Sequence, residues 1–223
     1  KYDRQKASSL LRSFVDLHEH AIGKKTEIIV EHFHKFVSHA IAGKAKAMVV
    51  TRSRLHAVRF GVAIRKYLEE VKFPYKVLIA FSGTVHDPDT GKEYTENSMN
   101  GIPQTQTKEQ FNKQEYRFLV VANKFQTGFD QPLLHTMYVD KKLGGVNAVQ
   151  TLSRLNRTHP QKKDTMVLDF ANEADDIKRA FEDYYEKTFL SEGTDPNVLY
   201  NLMEDLLDYR LYSELDVDQF AEH

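Results

Sequence analysis

The stretch Arg117–Val139 reads RFLVVANKFQTGFDQPLLHTMYV. Two mostly apolar runs, Arg117–Ala122 and His135–Val139, flank a polar turn that contains one glycine and one proline. Strands that are apolar throughout, rather than at alternate positions, are typical of a sheet that is covered on both faces. The polar turn Phe125–Pro132 then follows the carboxyl end of a buried strand.

Three further apolar runs have the same character: Ala47–Val50, Lys76–Phe81 and Asp164–Leu168. Helical patterns separate several of these runs, and the segment up to Glu70 repeats its apolar residues at intervals of three and four. This combination predicts an α/β fold, a parallel sheet with helices on both faces. The polar stretch Ser82–Gln106 shows no period, so we expect a long loop there.

Composition excludes several classes of protein. The 223 residues include no cysteine, which excludes a disulfide framework and a thiolate metal site. No apolar run approaches the roughly 20 residues that a membrane span needs. The sequence also lacks an HExxH motif, and we predict no metal site despite several early histidines. These features fit a cytoplasmic protein without membrane contact.

Charge is distributed unevenly along the chain. Residues 1–172 carry 27 basic and 17 acidic side chains, a formal charge of +10, whereas residues 173–223 carry 4 and 15, a charge of −11. The first part would attract an anionic polymer and the tail would repel one.

The pattern predicts three segments along the chain. We expect residues 1–23 to be a helical lead-in from something upstream, residues 24–172 to form the sheet domain, and residues 173–223 to be helical. A second helix is predicted at Glu27–Ala42, closed by Gly43. In the tail, Asp195 and Pro196 are a cap and a first-turn proline, which predict another helix start.

The segment Gln150–Arg157 carries two arginines. On a helix, Gln150, Arg154 and Arg157 would share one side, while Val149, Leu152 and Leu155 would face the other way. Two guanidinium forks one turn apart suit a polyphosphate, because each can donate paired hydrogen bonds to phosphate oxygens. The alternative is a solvated basic face, and the helix alone does not exclude it.

Ligands of open parallel sheets gather at the carboxyl ends of the strands. Three polar segments lie there: Thr51–Arg54, Ser82–Gly83 and Asn123–Asp130. The first suits a phosphate backbone, although Ser53 could simply cap the following helix. In the third, Gly128 would permit close backbone approach and Asp130 could accept from a ribose, unless the segment is an ordinary turn ending at Pro132. The sequence contains no GxxxxGK[ST] motif, so a triphosphate bound by the arginines would be held elsewhere.

Taken together, TRSR after a strand, TGFDQP followed by YVDK, and QTLSRLNR resemble the fourth, fifth and sixth motifs of superfamily 2 helicases and translocases. These motifs belong to the second RecA-like domain of that superfamily. More narrowly, the chain is similar to the motor (restriction, R) subunit of bacterial type I restriction-modification enzymes. Ser153 and Asn156 stand where many superfamily members have His and Gly. Both residues fit the restriction-subunit pattern, and residue roles do not carry over directly from the RNA helicases.

The resemblance implies a role for particular residues. Arg154 and Arg157 would reach the γ-phosphate of ATP, with Mg2+, held by a first motor domain that this chain lacks. Gly128, Asp130 and Gln150 would approach the same nucleotide. The residues implied to contact DNA are Thr51, Arg52, Ser53, Ser82, Gly83, Lys124 and Thr127.

The resemblance also implies partners: double-stranded DNA, the upstream motor and nuclease domains, and the modification and specificity subunits in a bacterial cytoplasm. Two alternatives stay open. One is a superfamily 2 helicase that separates strands without restriction. The other is a binding module, for nucleic acid or protein, without ATP coupling.

Overall fold

The computed structural model describes residues 17–126 and 128–182. The described residues from Thr26 onward belong to one compact unit. The predicted lead-in up to residue 16 and the predicted helix start at Asp195 lie outside the described residues. Within those residues, no helix has both the length and the apolarity that a membrane crossing requires.

Five parallel strands form the central sheet, in the order β2-β5-β1-β6-β7. The strands of the described residues are β1 Lys46–Thr51, β2 Lys76–Ala80, β3 Thr84–His86, β4 Glu93–Thr95, β5 Tyr116–Val121, β6 Leu134–Asp140 and β7 Met166–Asp169. The five sheet strands coincide with the five apolar runs, so the predicted parallel α/β sheet is confirmed. Every residue of the central β1 is buried, which explains why its apolar run does not alternate.

Helices occupy most of the connections between these strands. In chain order they are α1 Glu19–His32, a π-helix Phe33–Val37, α2 Ala40–Gly43, α3 Arg54–Glu70, α4 Glu96–Asn100, a 3₁₀-helix Gln104–Gln106, α5 Thr107–Asn112, α6 Gly145–Leu152, a 3₁₀-helix Ser153–Asn156 and α7 Ala174–Glu182.

The helices cover both faces of the sheet. Ile79 on β2 faces α3 at Gly61, where a Cβ atom would come within 2.3 Å of the Ile79 side chain, so only glycine allows this close approach. Leu78 points to the opposite face, as alternation along a strand requires. There it shares one buried cluster with Phe111 of α5 and Leu152 of α6.

The predicted long loop at Ser82–Gln106 is wrong. Strands β3 and β4 form an antiparallel hairpin, and α4 follows directly. Thr95 and Ser98 cap α4 reciprocally, and Gly101 ends it at φ +68°. These elements are only three to five residues long, too short for hydrophobic periodicity to reveal them.

The predicted helix boundaries before β1 are also wrong. Helix α1 runs through Gly23 without a break, because a single glycine costs a helix only about 1 kcal/mol. The predicted helix to Ala42 ends as an α-helix at His32, and a π-helix takes over at Phe33. Gly43 has φ +74°, but Ile41 and Ala42 before it are left-handed as well (φ +52° and +51°), so the predicted closure of a helix by Gly43 is also wrong.

Lys46 anchors the start of β1 and is only 1% exposed. Its Nζ donates to the backbone oxygens of Lys113 (2.9 Å) and Tyr116 (2.6 Å). These bonds join the start of β1 to the segment that enters β5. Burial, reinforced by the nearby charge of Arg117, lowers the pKa of Lys46 to about 8.

Lys46→Met is expected to remove part of the pH dependence of stability. The folded chain binds the Lys46 proton more weakly than the unfolded chain, whose lysine keeps a pKa of 10.5. The charge therefore opposes folding below pH 8, and the wild type gains stability as the pH rises from 8 to 10.5. Urea unfolding of both proteins should show their stability difference changing by roughly 1–3 kcal/mol over this range. A difference that stays constant with pH would contradict this assignment.

Candidate nucleotide and DNA site

The polar segments that follow the sheet strands meet at one edge of the sheet. After β1, the Arg54 guanidinium donates to the backbone oxygen of Ser82, which follows β2 (3.0 Å). After β6, Lys141 Nζ donates to Asn123 Oδ1, which follows β5 (2.8 Å). The prediction is therefore confirmed for Arg54, Ser82 and Asn123, whereas the rest of Asn123–Asp130 leads away from this edge: Leu133 accepts from the backbone N–H of Lys46 at the start of β1. Arg54 and Lys141 provide links that the sequence analysis did not identify.

The arginine segment, residues 150–157, does not form the regular helix that was predicted. Helix α6 ends at Leu152, a tighter 3₁₀ turn follows, and Arg157 is extended with φ −65° and ψ 124°. A tightened last turn is common at helix ends. The apolar side is as predicted, since Leu152 and Leu155 are buried. Because the periodicity changes at Ser153, the three polar residues do not line one helical face.

The arginine segment instead contacts the turn segment, residues 123–132. Arg157 Nε lies 3.4 Å from Asp130 Oδ1, with 50% and 60% of the two side chains exposed. Arg154 Nη1 donates to the backbone oxygen of Phe129 (3.4 Å), and its Nε donates to the backbone oxygen of Gln150 (3.1 Å). The structure thus brings four residues predicted for one nucleotide site, Asp130, Gln150, Arg154 and Arg157, into one cluster.

Gly128 gives the turn segment its shape. Its φ of +67° is in the left-handed region that favours glycine. A Cβ atom there would meet nothing within 4 Å, so backbone conformation and not contact within this chain requires the glycine. The next residue, Phe129, is buried and anchors the turn. The predicted site residue Thr127 lies outside the described residues.

Lys124, predicted to contact DNA, is engaged in an ion pair inside the domain. Its Nζ lies 3.0 and 2.9 Å from the two carboxylate oxygens of Glu96, a side chain only 2% exposed. Glu96 also accepts from the Thr107 hydroxyl (2.5 Å) and the backbone N–H of Phe81 (2.9 Å). Nothing in the sequence points to Glu96, because 28 residues separate it from Lys124 and no spacing pattern connects the two.

The segment after β1 serves the structure as well as the predicted DNA surface. Thr51 is fully buried, and its hydroxyl lies 3.0 Å from the backbone oxygen of Val121. Ser53 accepts from the backbone N–H of His56 and caps α3, which confirms the capping alternative for this residue. Arg52 forms an ion pair with Asp140 at 3.6 Å. Among the predicted DNA contacts, Ser82 and Gly83 are the most exposed.

The donors of the arginine segment fit phosphate oxygens. Arg157 is half exposed and Arg154 is partly exposed, so both present guanidinium donors toward solvent. Among residues 17–126 and 128–182, no group of three or more His, Asp or Glu side chains could hold a metal ion. The solvent-accessible guanidinium groups of Arg154 and Arg157 suit the anionic part of a nucleotide.

The sheet, its covering helices and this polar edge define a RecA-like α/β fold. Residues 83–172 match the family model of type I restriction enzyme subunit R domain 3. The similarity to the restriction subunit that the motifs indicated is thereby confirmed.

Relatives with the same description support this match. The chain is 34% identical over 139 residues to the type I restriction enzyme MjaVIIP endonuclease subunit of Methanocaldococcus jannaschii, covering 56% of this chain and 13% of that protein. It is 27% identical over 195 residues to the MjaIXP endonuclease subunit of the same organism, covering 84% and 17%. The chain thus spans less than a fifth of the length of these two relatives.

A solved structure shares the fold. It is a fragment of an HsdR subunit of a type I restriction enzyme from Vibrio vulnificus, with a TM-score of 0.53 and 14% identity. The similarity covers 78% of this chain and 30% of that one.

Proposed function

We propose that this chain is the second motor domain of an ATP-dependent double-stranded DNA translocase within a type I restriction subunit. Arg154 and Arg157 would act on ATP held mainly by a first motor domain outside this chain. The observation that carries the proposal is the cluster in which Arg157 meets Asp130 and Arg154 meets the Phe129 backbone. It joins the two segments that the family motifs assign to one nucleotide.

In this proposal, two domains bind one nucleotide together, and the cluster around Arg157 is the half of the site that this chain contributes. The arginines supply cationic donors, yet the sequence contains no phosphate-binding GxxxxGK[ST] loop. ATP and its Mg2+ would be bound by the facing domain, and the phosphoryl group would be presented to the arginines from there. Closure of the two domains would bring Arg154 and Arg157 toward the charge that develops during hydrolysis.

Asp130 would orient Arg157 before the nucleotide arrives. The Asp130–Arg157 pair is exposed, so it contributes little to stability and separates at small cost. A phosphate group offers the same guanidinium a stronger, bidentate partner. Gly128 and Gln150 lie in the two segments that carry Asp130 and Arg157. Gly128 shapes the turn segment, and Gln150 is the first residue of the arginine segment.

The DNA-facing surface would be the edge formed by Arg52, Ser53, Ser82 and Gly83. Phosphate contacts of this kind do not read sequence and weaken steeply with salt. The charge of +10 over residues 1–172 favours such a polyanion. The buried hydroxyl of Thr51 and the Glu96-bound ammonium of Lys124 would position this surface rather than touch DNA.

The proposal extends to the organisation of the protein. Residues 24–172 would be the motor domain, residues 1–23 its lead-in from the first motor domain, and residues 173–223 an acidic helical segment. Upstream nuclease and motor domains, and the modification and specificity subunits, would complete a cytoplasmic bacterial enzyme. The acidic segment would face protein partners, since its charge of −11 repels DNA.

The isolated 223-residue chain is expected to show no ATP hydrolysis, because half of the site is contributed by another domain. Phosphate release should equal the buffer background with or without double-stranded DNA. The full-length protein, measured in parallel, provides the positive control. Turnover by the pure chain would contradict a site shared between two domains.

A further inference from the structure

Lys162 connects the arginine segment to the turn segment. After Arg157 the chain turns back, and the Lys162 ammonium reaches three backbone oxygens. Nζ lies 2.5 Å from the oxygen of Leu155, 2.9 Å from that of Arg157 and 3.4 Å from that of Pro132. Two of these carbonyls belong to the arginine segment, and the third ends the turn segment.

These carbonyls are of a kind that needs a partner. The last carbonyls of a helical segment lack intrahelical donors, and a lysine near the helix end can satisfy them. Leu155 lies in the 3₁₀ turn, and Arg157 has left it. One ammonium therefore closes the end of the arginine segment and holds it against Pro132.

We infer that Lys162 is a positioning residue that sets Arg154 and Arg157 against the turn segment carrying Asp130. The inference rests on the proposed function and deepens it, because it identifies the group that holds the arginines in place. Lys162 touches backbone oxygens in this structure and acts through the arginines. Its neighbour Lys163 is exposed and matches it in charge and size.

The charge of Lys162 matters for this role. Burial lowers its pKa to about 8, so the amine loses a proton in mildly alkaline solution and keeps two donors for three carbonyls. The charged and titratable groups of the two segments and of the connecting turn are Arg157, Asp130, His159, Lys163 and Asp164, and Asp164 pairs with His135 at 3.0 Å. No carboxylate pairs with Lys162 among the described residues, so its hydrogen bonds to the carbonyls would weaken above pH 8.

The test compares substitutions in the full-length protein. Lys162→Met is expected to lower kcat for ATP hydrolysis by about 10- to 100-fold, since misplacing a catalytic group by an ångström costs this much. Lys163→Met should leave kcat unchanged. Lys46→Met is a second control, because Lys46 is also a buried lysine that donates to backbone carbonyls and has a pKa of about 8, but it lies at the start of β1.

A conservative variant separates positioning from general stability. Lys162→Arg should restore most of kcat, and the loss of rate above about pH 8 in the wild type should move to higher pH. Wild-type kcat in Lys162→Met would overturn the inference. The inference would also be overturned if the activity of Lys162→Met fell only in proportion to its folded fraction, as measured by thermal unfolding. Lys46→Met shows how activity changes when stability alone is altered.

Arg157→Ala distinguishes this inference from the function on which it rests. If Arg157→Ala keeps hydrolysing ATP, the proposed function fails and the positioning role fails with it. If Arg157→Ala is inactive while Lys162→Met retains wild-type kcat, only the positioning role fails.

Discussion

Replacing Arg157 with alanine in the full-length protein is expected to lower ATP hydrolysis by about 10³- to 10⁵-fold, the effect of removing an arginine finger from a nucleotide hydrolase. DNA affinity should stay within a few-fold of wild type at one fixed salt concentration. The reason is that the Arg157 guanidinium pairs with Asp130, whereas Ser82 and Gly83, which are proposed to contact DNA, belong to another segment. Steady-state phosphate release and a DNA-binding isotherm measure the two effects separately.

Two variants sharpen the comparison. Arg157→Lys retains the charge but cannot donate two parallel hydrogen bonds, so it should recover only part of the rate. Arg179→Ala removes an exposed arginine that pairs with Asp176 on α7, and it should change neither measurement. Collapse of DNA binding with hydrolysis intact in Arg157→Ala would instead favour the binding module without ATP coupling.

The strands of the central sheet could be predicted from the sequence, because strands buried on both faces form runs of consecutive apolar residues. A strand such as β1, buried at all six residues, must be apolar along its whole length. The β3–β4 hairpin leaves no such signal. Its strands have three residues each, and only Val85 among the residues of β3 is buried. Short elements held by capping and tertiary contacts have no period to detect.

The candidate site was only partly accessible from sequence. Motif order identified the turn and arginine segments as candidates for one site, but it did not show which side chains meet. The contacts that shape them join residues distant in sequence: Arg157 to Asp130, Lys124 to Glu96, and Lys162 to Pro132. No periodicity relates such pairs, because tertiary packing determines them.

These contacts hold the turn segment at three points. Glu96 binds Lys124 near its start, the arginines contact Phe129 and Asp130, and Lys162 reaches Pro132 at its end. Glu96 belongs to α4, directly after the hairpin that was mistaken for a loop. The segment between β2 and α5 therefore supports the turn segment, and the buried carboxylate of Glu96 should contribute a large part of the local stability.

Glu96→Ala is expected to lower the free energy of unfolding of the 223-residue chain by about 3–5 kcal/mol, the cost of removing one partner of a buried ion pair. The substitution leaves the Lys124 ammonium, the Thr107 hydroxyl and the Phe81 N–H without the carboxylate that accepts from all three. Urea unfolding measures the loss. Asp89→Ala is the matched control, since Asp89 pairs with Arg59 but is 71% exposed, and its removal should cost at most about 1 kcal/mol.

Glu96→Gln keeps the prediction measurable if the alanine variant does not fold. The amide retains the size of the side chain and one acceptor oxygen, so it should cost less than alanine but more than Asp89→Ala. The loss of stability in Glu96→Gln should be largest at the turn segment. Hydrogen exchange of the amides of Asn123 and Lys124 should therefore accelerate more than that of the amides of β1. Equal stabilities of Glu96→Gln and Asp89→Ala, with unchanged exchange at Lys124, would show that the buried carboxylate does not hold the turn segment.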